Sequence, residues 1–266
     1  MSIRYSGQAW EKRFFSRLTT DEIAAMDKEN SLLVLMVGAI EQSGPHLPIY
    51  TDMLIGETYL ERAFELLPEE ESIWLLPPLP YGKSTEHINF PGTMTLSSTT
   101  LMHVIADIAR SVKRSGFNKL LLFNPHGGNS DLLNMIARDI WVTEKLEVYR
   151  LDASTIGLGR YGVSEEEKAI GVHGGDVPTS FIQAVKPEWV RQDKVLAERP
   201  NFPSDGVFSF ANRSFAWVMS DISNSGITGD ATISSAEKGE AMIQHGCRLF
   251  AEAMVSMAHF DMKSLK

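Results

Sequence analysis

Apolar residues run without a break from Leu32 to Val37. The run is too short for a helix and lacks the alternation of a half-exposed strand, so it predicts a strand buried on both faces. Leu120–Phe123 predicts a second buried strand, and Ile73–Leu76 and Leu146–Leu151 read as two more, the first ended by Pro77 and Pro78. Between these runs the spacing turns helical. Ser16 to Lys28 is expected to be a helix with Thr20 as its cap. Met53 to Leu67 places Leu54, Ile55, Leu60, Phe64 and Leu67 on one face. Ser97 or Ser98 opens a helix that reaches about Ser115, with Gly116 just past its end. Asp131 to Trp141 and Thr179 to Val185 are further helices. A long C-terminal helix begins near Ser234, with Glu237 three residues on as a capping box. Alternation of strand and helix predicts an α/β fold: a mainly parallel sheet with helices on both faces.

Three polar loops interrupt the pattern where strands end or helices begin. The first follows Val37 and carries Glu41, Gln42, Ser43, His46 and Asp52, its path set by Gly44, Pro45 and Pro48. The second, NPHGGN, holds His126. The third, HGGDVPTS, holds His173 and Asp176. In open α/β sheets ligands sit beyond the carboxyl ends of the strands. Each histidine taken singly reads as a turn residue satisfied by local hydrogen bonds. Together the loops supply carboxylates and imidazoles, donors that suit a divalent metal and a hydrolytic site. A fourth stretch, LPYGKSTEHINFPGTMTL, is long and irregular, and its aromatic residues Tyr81 and Phe90 argue against disorder. Tyr81, Lys83, Glu86 and His87 are its candidates for touching substrate, with an oligomer contact as the alternative. The stretch from Pro200 to Gly229, rich in Asn, Ser, Gly and Phe, resists assignment and reads as surface near a site or an interface.

Composition narrows the class of protein. The chain has 266 residues, a net charge of -9 and a pI of about 5.3. That length supports one large domain over residues 1–266, and the acidity argues against a nucleic-acid backbone as partner. A single cysteine, Cys247, leaves no intrachain disulfide and no cysteine-based zinc cluster. The opening residues lack the apolar core of a signal peptide, and no run approaches the roughly 18 apolar residues of a membrane span. A cytoplasmic protein is the expectation.

The segments VGAIEQSGPHLPIYTD, YGKSTEHINFPGTMTL, NPHGGN, HGGDVPTS and SGITGDATISSAEKGE resemble the creatininase (creatinine amidohydrolase) family in order and spacing. The resemblance spans nearly the whole chain. It implies a three-layer α/β/α sandwich, assembly as a homo-oligomer, often a hexamer, and metal-dependent hydrolysis of a C–N bond in a small, non-peptide amide. It further implies Glu41 and His126 as ligands of one metal, Asp52 as a bridging carboxylate and His173 as a catalytic acid or base. Asp176 is implied as a donor to a second metal, although orientation of His173 is an open alternative for it. Tyr81, Glu86 and His87 are expected to bind substrate.

The chain also departs from the family. Ser43 stands where the family usually has a histidine that binds the second metal, and a hydroxyl is the poorer ligand. Gly128 replaces a glutamate found in creatininase itself, and Pro178 replaces a glutamate before Thr179 and Ser180. The expectation is one tightly held divalent ion, zinc before manganese, at Glu41, Asp52 and His126, with the second site weakened or lost. His46, held between prolines, reads as a supporting residue. The competing reading is a family member that binds a metal and a small molecule without turnover.

Overall fold

The computed structural model describes residues 7–155, 162–202, 208 and 215–265. Parts of the opening segment read against a signal peptide, and of the unassigned 200–229 stretch, lie outside these residues. Four strands, β1 (Leu32–Met36), β2 (Ile73–Leu75), β3 (Lys119–Asn124) and β4 (Glu147–Asp152), form one parallel sheet in the order β2-β1-β3-β4. A short antiparallel pair, β5 (Ala197–Glu198) and β6 (Gly229–Asp230), lies apart. The helices are α1 (Gln8–Glu11), α2 (Thr20–Ala25), α3 (Thr51–Phe64), α4 (Ser98–Arg114), α5 (Ser130–Glu144), α6 (Glu165–Ile170), α7 (Asp176–Val185), α8 (Met219–Ile222) and α9 (Ala236–His259).

Pleating sends successive side chains of β1 to opposite faces. Leu32, Val34 and Met36 join a core with α3, α7 and α9, and Leu33, Leu35 and Val37 join another with α4 and α5. This is why the run is apolar throughout, and it produces the expected three layers. The α4 face buries Leu101, Ile105, Ala109 and Val112 at helical spacing. Among the described residues no helix is long and apolar enough to cross a membrane.

Several boundaries differ from the sequence pattern for local reasons. Thr19, not Thr20, caps α2, in a capping box with Glu22. Ser235, not Ser234, caps α9, because the Ser234 hydroxyl already donates to the Ala231 carbonyl. Glu165–Ile170 forms a helix capped by Ser164. The helix expected from Thr179 starts earlier, at Asp176, and takes Pro178 into its first turn, where a proline nitrogen needs no partner. Similarly, α3 starts at Thr51 instead of Met53, so Asp52 stands in its first turn, where the helix dipole favours a carboxylate.

Candidate metal centre

The loops after β1 and β3 and the middle loop meet at Asn129. Its side-chain amide donates to the carbonyls of Val37 and Gly38, and its Oδ1 accepts from the Lys83 N–H at 2.8 Å. Gly82 is essential to this contact, since a Cβ there would lie 2.2 Å from the Gly38 carbonyl. Two threonines of the PGTMTL segment fix the remaining geometry: Thr93 Oγ1 accepts from Gln42 N and Thr95 Oγ1 from Ser84 N. The sequence pattern does not mark Asn129 as a site residue. Its signal was the final Asn of NPHGGN, which ends a strand-end loop and opens a helix.

On this frame Glu41, Asp52 and His126 each offer one donor atom, all within 4.8 Å of one another. A second group, Glu41, His87 and His173, meets the same distance and shares Glu41. His126 Nε2 lies 3.3 Å from Glu41 Oε2, and its Nδ1 lies 3.2 Å from Asp52 Oδ2. The His126 Nε2–H also faces the Lys83 carbonyl at 2.9 Å, which turns Nδ1 toward Asp52. Both Glu41 oxygens and Asp52 Oδ2 are buried and lack a hydrogen bond of good geometry. Buried polar atoms are seldom left so. Orphaned carboxylate oxygens converging on an imidazole are a donor set that fits a divalent cation.

The electrostatics agree. Burial pushes the Glu41 carboxyl up, against the pull of His126. Burial works against a charged His126, but Glu41 and Asp52 together hold its pKa well above the usual 6.5. The site therefore favours positive charge between these groups. His173 is pushed the other way, chiefly by burial, and stays neutral.

The other expected site residues divide. Glu86 Oε1 stands 3.4 Å from His126 Nε2, and a Cβ on Gly128 would come within 2.0 Å of that oxygen, so the missing side chain at Gly128 is what gives Glu86 its place. His87 was expected at a substrate surface, but it is only 2% exposed, enclosed by Gln42, Glu41 and a tilted His173 ring at 4.0 Å. Tyr81 is 45% exposed on the rim of the middle loop. Asp176, expected as a donor to a second ion, belongs to neither donor group. Its buried carboxylate accepts from Lys238 Nζ at 2.7 Å and 2.9 Å and from Ser180 Oγ. The buried Ser43 hydroxyl turns back to the Glu41 carbonyl. Gln42, not singled out as a site residue, touches both His87 and His173.

His46 is fully buried, with Nε2 2.8 Å from Thr179 Oγ1. Burial lowers its pKa from 6.5 to about 4. Below pH 6.5 the unfolded chain takes up a proton that the folded chain refuses until about pH 4. Stability from this residue is therefore complete above pH 6.5 and declines as pH falls through that window, by about 3 kcal/mol in all at 1.36 kcal/mol per unit. Urea denaturation at pH 7.5 and pH 4.5 checks this. His46→Gln should show a shallower pH dependence, and identical slopes would refute the assignment.

A family profile described as Creatinine amidohydrolase matches residues 16–254. The mycofactocin precursor peptide peptidase of Mycolicibacterium smegmatis is 27% identical, over 90% of this chain and 87% of its own length. The creatinine amidohydrolase of Pseudomonas putida is also 27% identical, over 91% of this chain and 95% of its own. A solved mutant creatininase of Zn-Zn type superposes with a TM-score of 0.72 at 26% identity, covering 91% of this chain and 96% of that one. The profile match spans nearly all of the folded chain, strand-end loops included, and the chain belongs to the creatininase family.

Proposed function

We propose that the protein is a metal-dependent amidohydrolase that cleaves an amide C–N bond at the Glu41–Asp52–His126 centre. The observation that carries this is the convergence of three orphaned, buried carboxylate oxygens on His126. Glu41, Asp52 and His126 would hold one divalent ion, zinc or a similar metal, as the Zn-Zn relative suggests. When bound, such an ion supplies polarisation of the amide carbonyl and acidification of water.

The chain's own residues do the rest. His173 Nε2–H donates to the Gln42 carbonyl at 2.7 Å, which leaves Nδ1 with a free lone pair 3.6 Å from Glu41 Oε1. A neutral imidazole so placed takes a proton from water and returns it to the leaving nitrogen. Glu86 flanks His126 from the middle loop and is placed to orient a substrate N–H. The relatives act on creatinine in one case and a precursor peptide in another, so the reading covers the amide bond and leaves the scaffold of the substrate to experiment.

The test is zinc-loaded protein against a panel of cyclic amides, ureides, formamides and short peptides. The expected outcome is one tightly held ion per chain and C–N cleavage of at least one panel member, lost on chelation and in His173→Asn. Metal binding without turnover of any member would favour the alternative of a binding protein on the same fold.

A further inference from the structure

The two donor groups share Glu41, yet they are not equivalent, and the difference lies in Gln42. The orientation of the Gln42 amide is set by partners of fixed polarity. Its Oε1 accepts from the Gly44 N–H at 2.8 Å, and its Nε2 donates to the Gly226 carbonyl at 3.0 Å. Gly226 makes room for this, since a Cβ there would stand 2.2 Å from Gln42 Oε1. The remaining amide proton points at His87 Nδ1, 2.8 Å away. That nitrogen must accept. A neutral His87 ring then carries its proton on Nε2, which faces Glu41 Oε1 at 3.3 Å. The backbone carbonyl of the same Gln42 accepts from His173 Nε2 at 2.7 Å, and so leaves His173 Nδ1 bare.

We infer that Gln42 is a tautomer clamp: its side chain holds His87 with its proton on Nε2, on the edge that faces Glu41, and its backbone holds His173 as a bare Nδ1 acceptor. The inference rests on the proposed metal centre, and it gives the second donor group a different task. The Glu41 edge of His87 is occupied by a proton, so Glu41, His87 and His173 do not take a second ion. Instead His87 steadies the Glu41 carboxylate from the side opposite His126, and His173 is left free to accept a proton. The Gln42 amide leaves Nδ1 no role but acceptor, so the ring of the buried His87 carries its proton on Nε2. Gln42 and His87 are thus positioning residues, and neither is needed as a ligand.

The experiment is nitrogen NMR of metal-free protein labelled in its histidine rings, with His87→Asn and His173→Asn used to assign the two signals. Both His87 and His173 are expected to show a protonated Nε2 and a bare Nδ1. A His87 ring bare at Nε2 overturns the inference. This readout needs no substrate, so it fails or holds independently of the amidohydrolase reading. A second arm uses Gln42→Glu, whose carboxylate accepts from His87 Nδ1–H and frees Nε2. Zinc bound after dialysis should rise from one ion per chain to two. Two ions in the unaltered protein, or no gain in a folded Gln42→Glu variant, also overturns it. Should that variant fail to melt cooperatively, the spectrum of the unaltered protein decides.

Discussion

Glu41→Gln is expected to strip the protein of its metal while making the metal-free fold more stable. The two effects share one cause. Glu41 is 1% exposed, and neither carboxylate oxygen has a hydrogen bond of good geometry among the described residues. With a cation in place that arrangement is favourable, because hard oxygen donors are held ready. Without one, a buried carboxylate has lost its water, and the imidazoles at 3.3 Å offset only part of that loss, so burial still raises its pKa. Burial raises its folded pKa above the usual 4.5. An acid whose pKa rises on folding binds a proton more readily in the folded state. It therefore costs stability as pH climbs from the unfolded pKa through the folded one. At pH 8 the glutamine variant escapes that cost, which is about 1–3 kcal/mol for a buried polar group without partners. Metal affinity should fall by more than about 100-fold, since even groups that only support a ligand cost 10–100-fold when removed. Metal content after dialysis and urea denaturation of chelated protein at pH 8 check the two halves. A variant that retains its ion, or whose metal-free form is less stable than the parent, would count against the centre.

Lys238→Met is expected to destabilise the protein by about 3–5 kcal/mol, the usual cost of stranding one partner of a buried ion pair. Asp176 opens α7 and is fully buried, and Lys238 stands in the first turn of α9. The ammonium reaches both Asp176 oxygens and the Ile233 carbonyl, and Ser180 completes the carboxylate's partners. The two helices cross closely here: a Cβ on Gly239 would lie 2.0 Å from the Ser180 carbonyl. No apolar rearrangement can fill in around the stranded charge without moving that crossing. The double variant Asp176→Leu with Lys238→Met removes both charges and should recover much of the loss. Urea titration of both proteins is the measurement. A single-variant loss under about 1 kcal/mol would show that the pair contributes no more than an exposed one. Because α7 follows directly on His173 and two glycines, the single variant should also loosen the position of that imidazole.

How much of this was legible before the fold was known depends on the residue. The buried run at Leu32–Val37 declared itself because both faces of β1 are covered, and a strand in that setting has no polar positions. Glu41, Asp52 and His126 were legible for a related reason. They stand at strand and helix ends, where backbone geometry alone delivers side chains to one edge of a parallel sheet. The parts that misled were those settled by distant partners. Asp176 sits in a loop of the right type, but its direction was decided by Lys238, 62 residues away. His87 looked like a loop residue available to substrate, and it is enclosed by Gln42 and His173.

The sequence by itself determined which residue types reach the sheet edge, since local patterning and turn chemistry act within a few residues. It also places a serine at position 43 and a glycine at position 128, which bring neither a carboxylate nor an imidazole. Only the tertiary structure decided which donors face one another. It put Glu86 into the space that Gly128 leaves, turned Asp176 toward α9, and packed the His87 and His173 rings together on the side chain and backbone of Gln42. The reason is physical. A carboxylate or an imidazole takes its role from the hydrogen bonds and burial around it, and those are supplied by segments far apart in the chain.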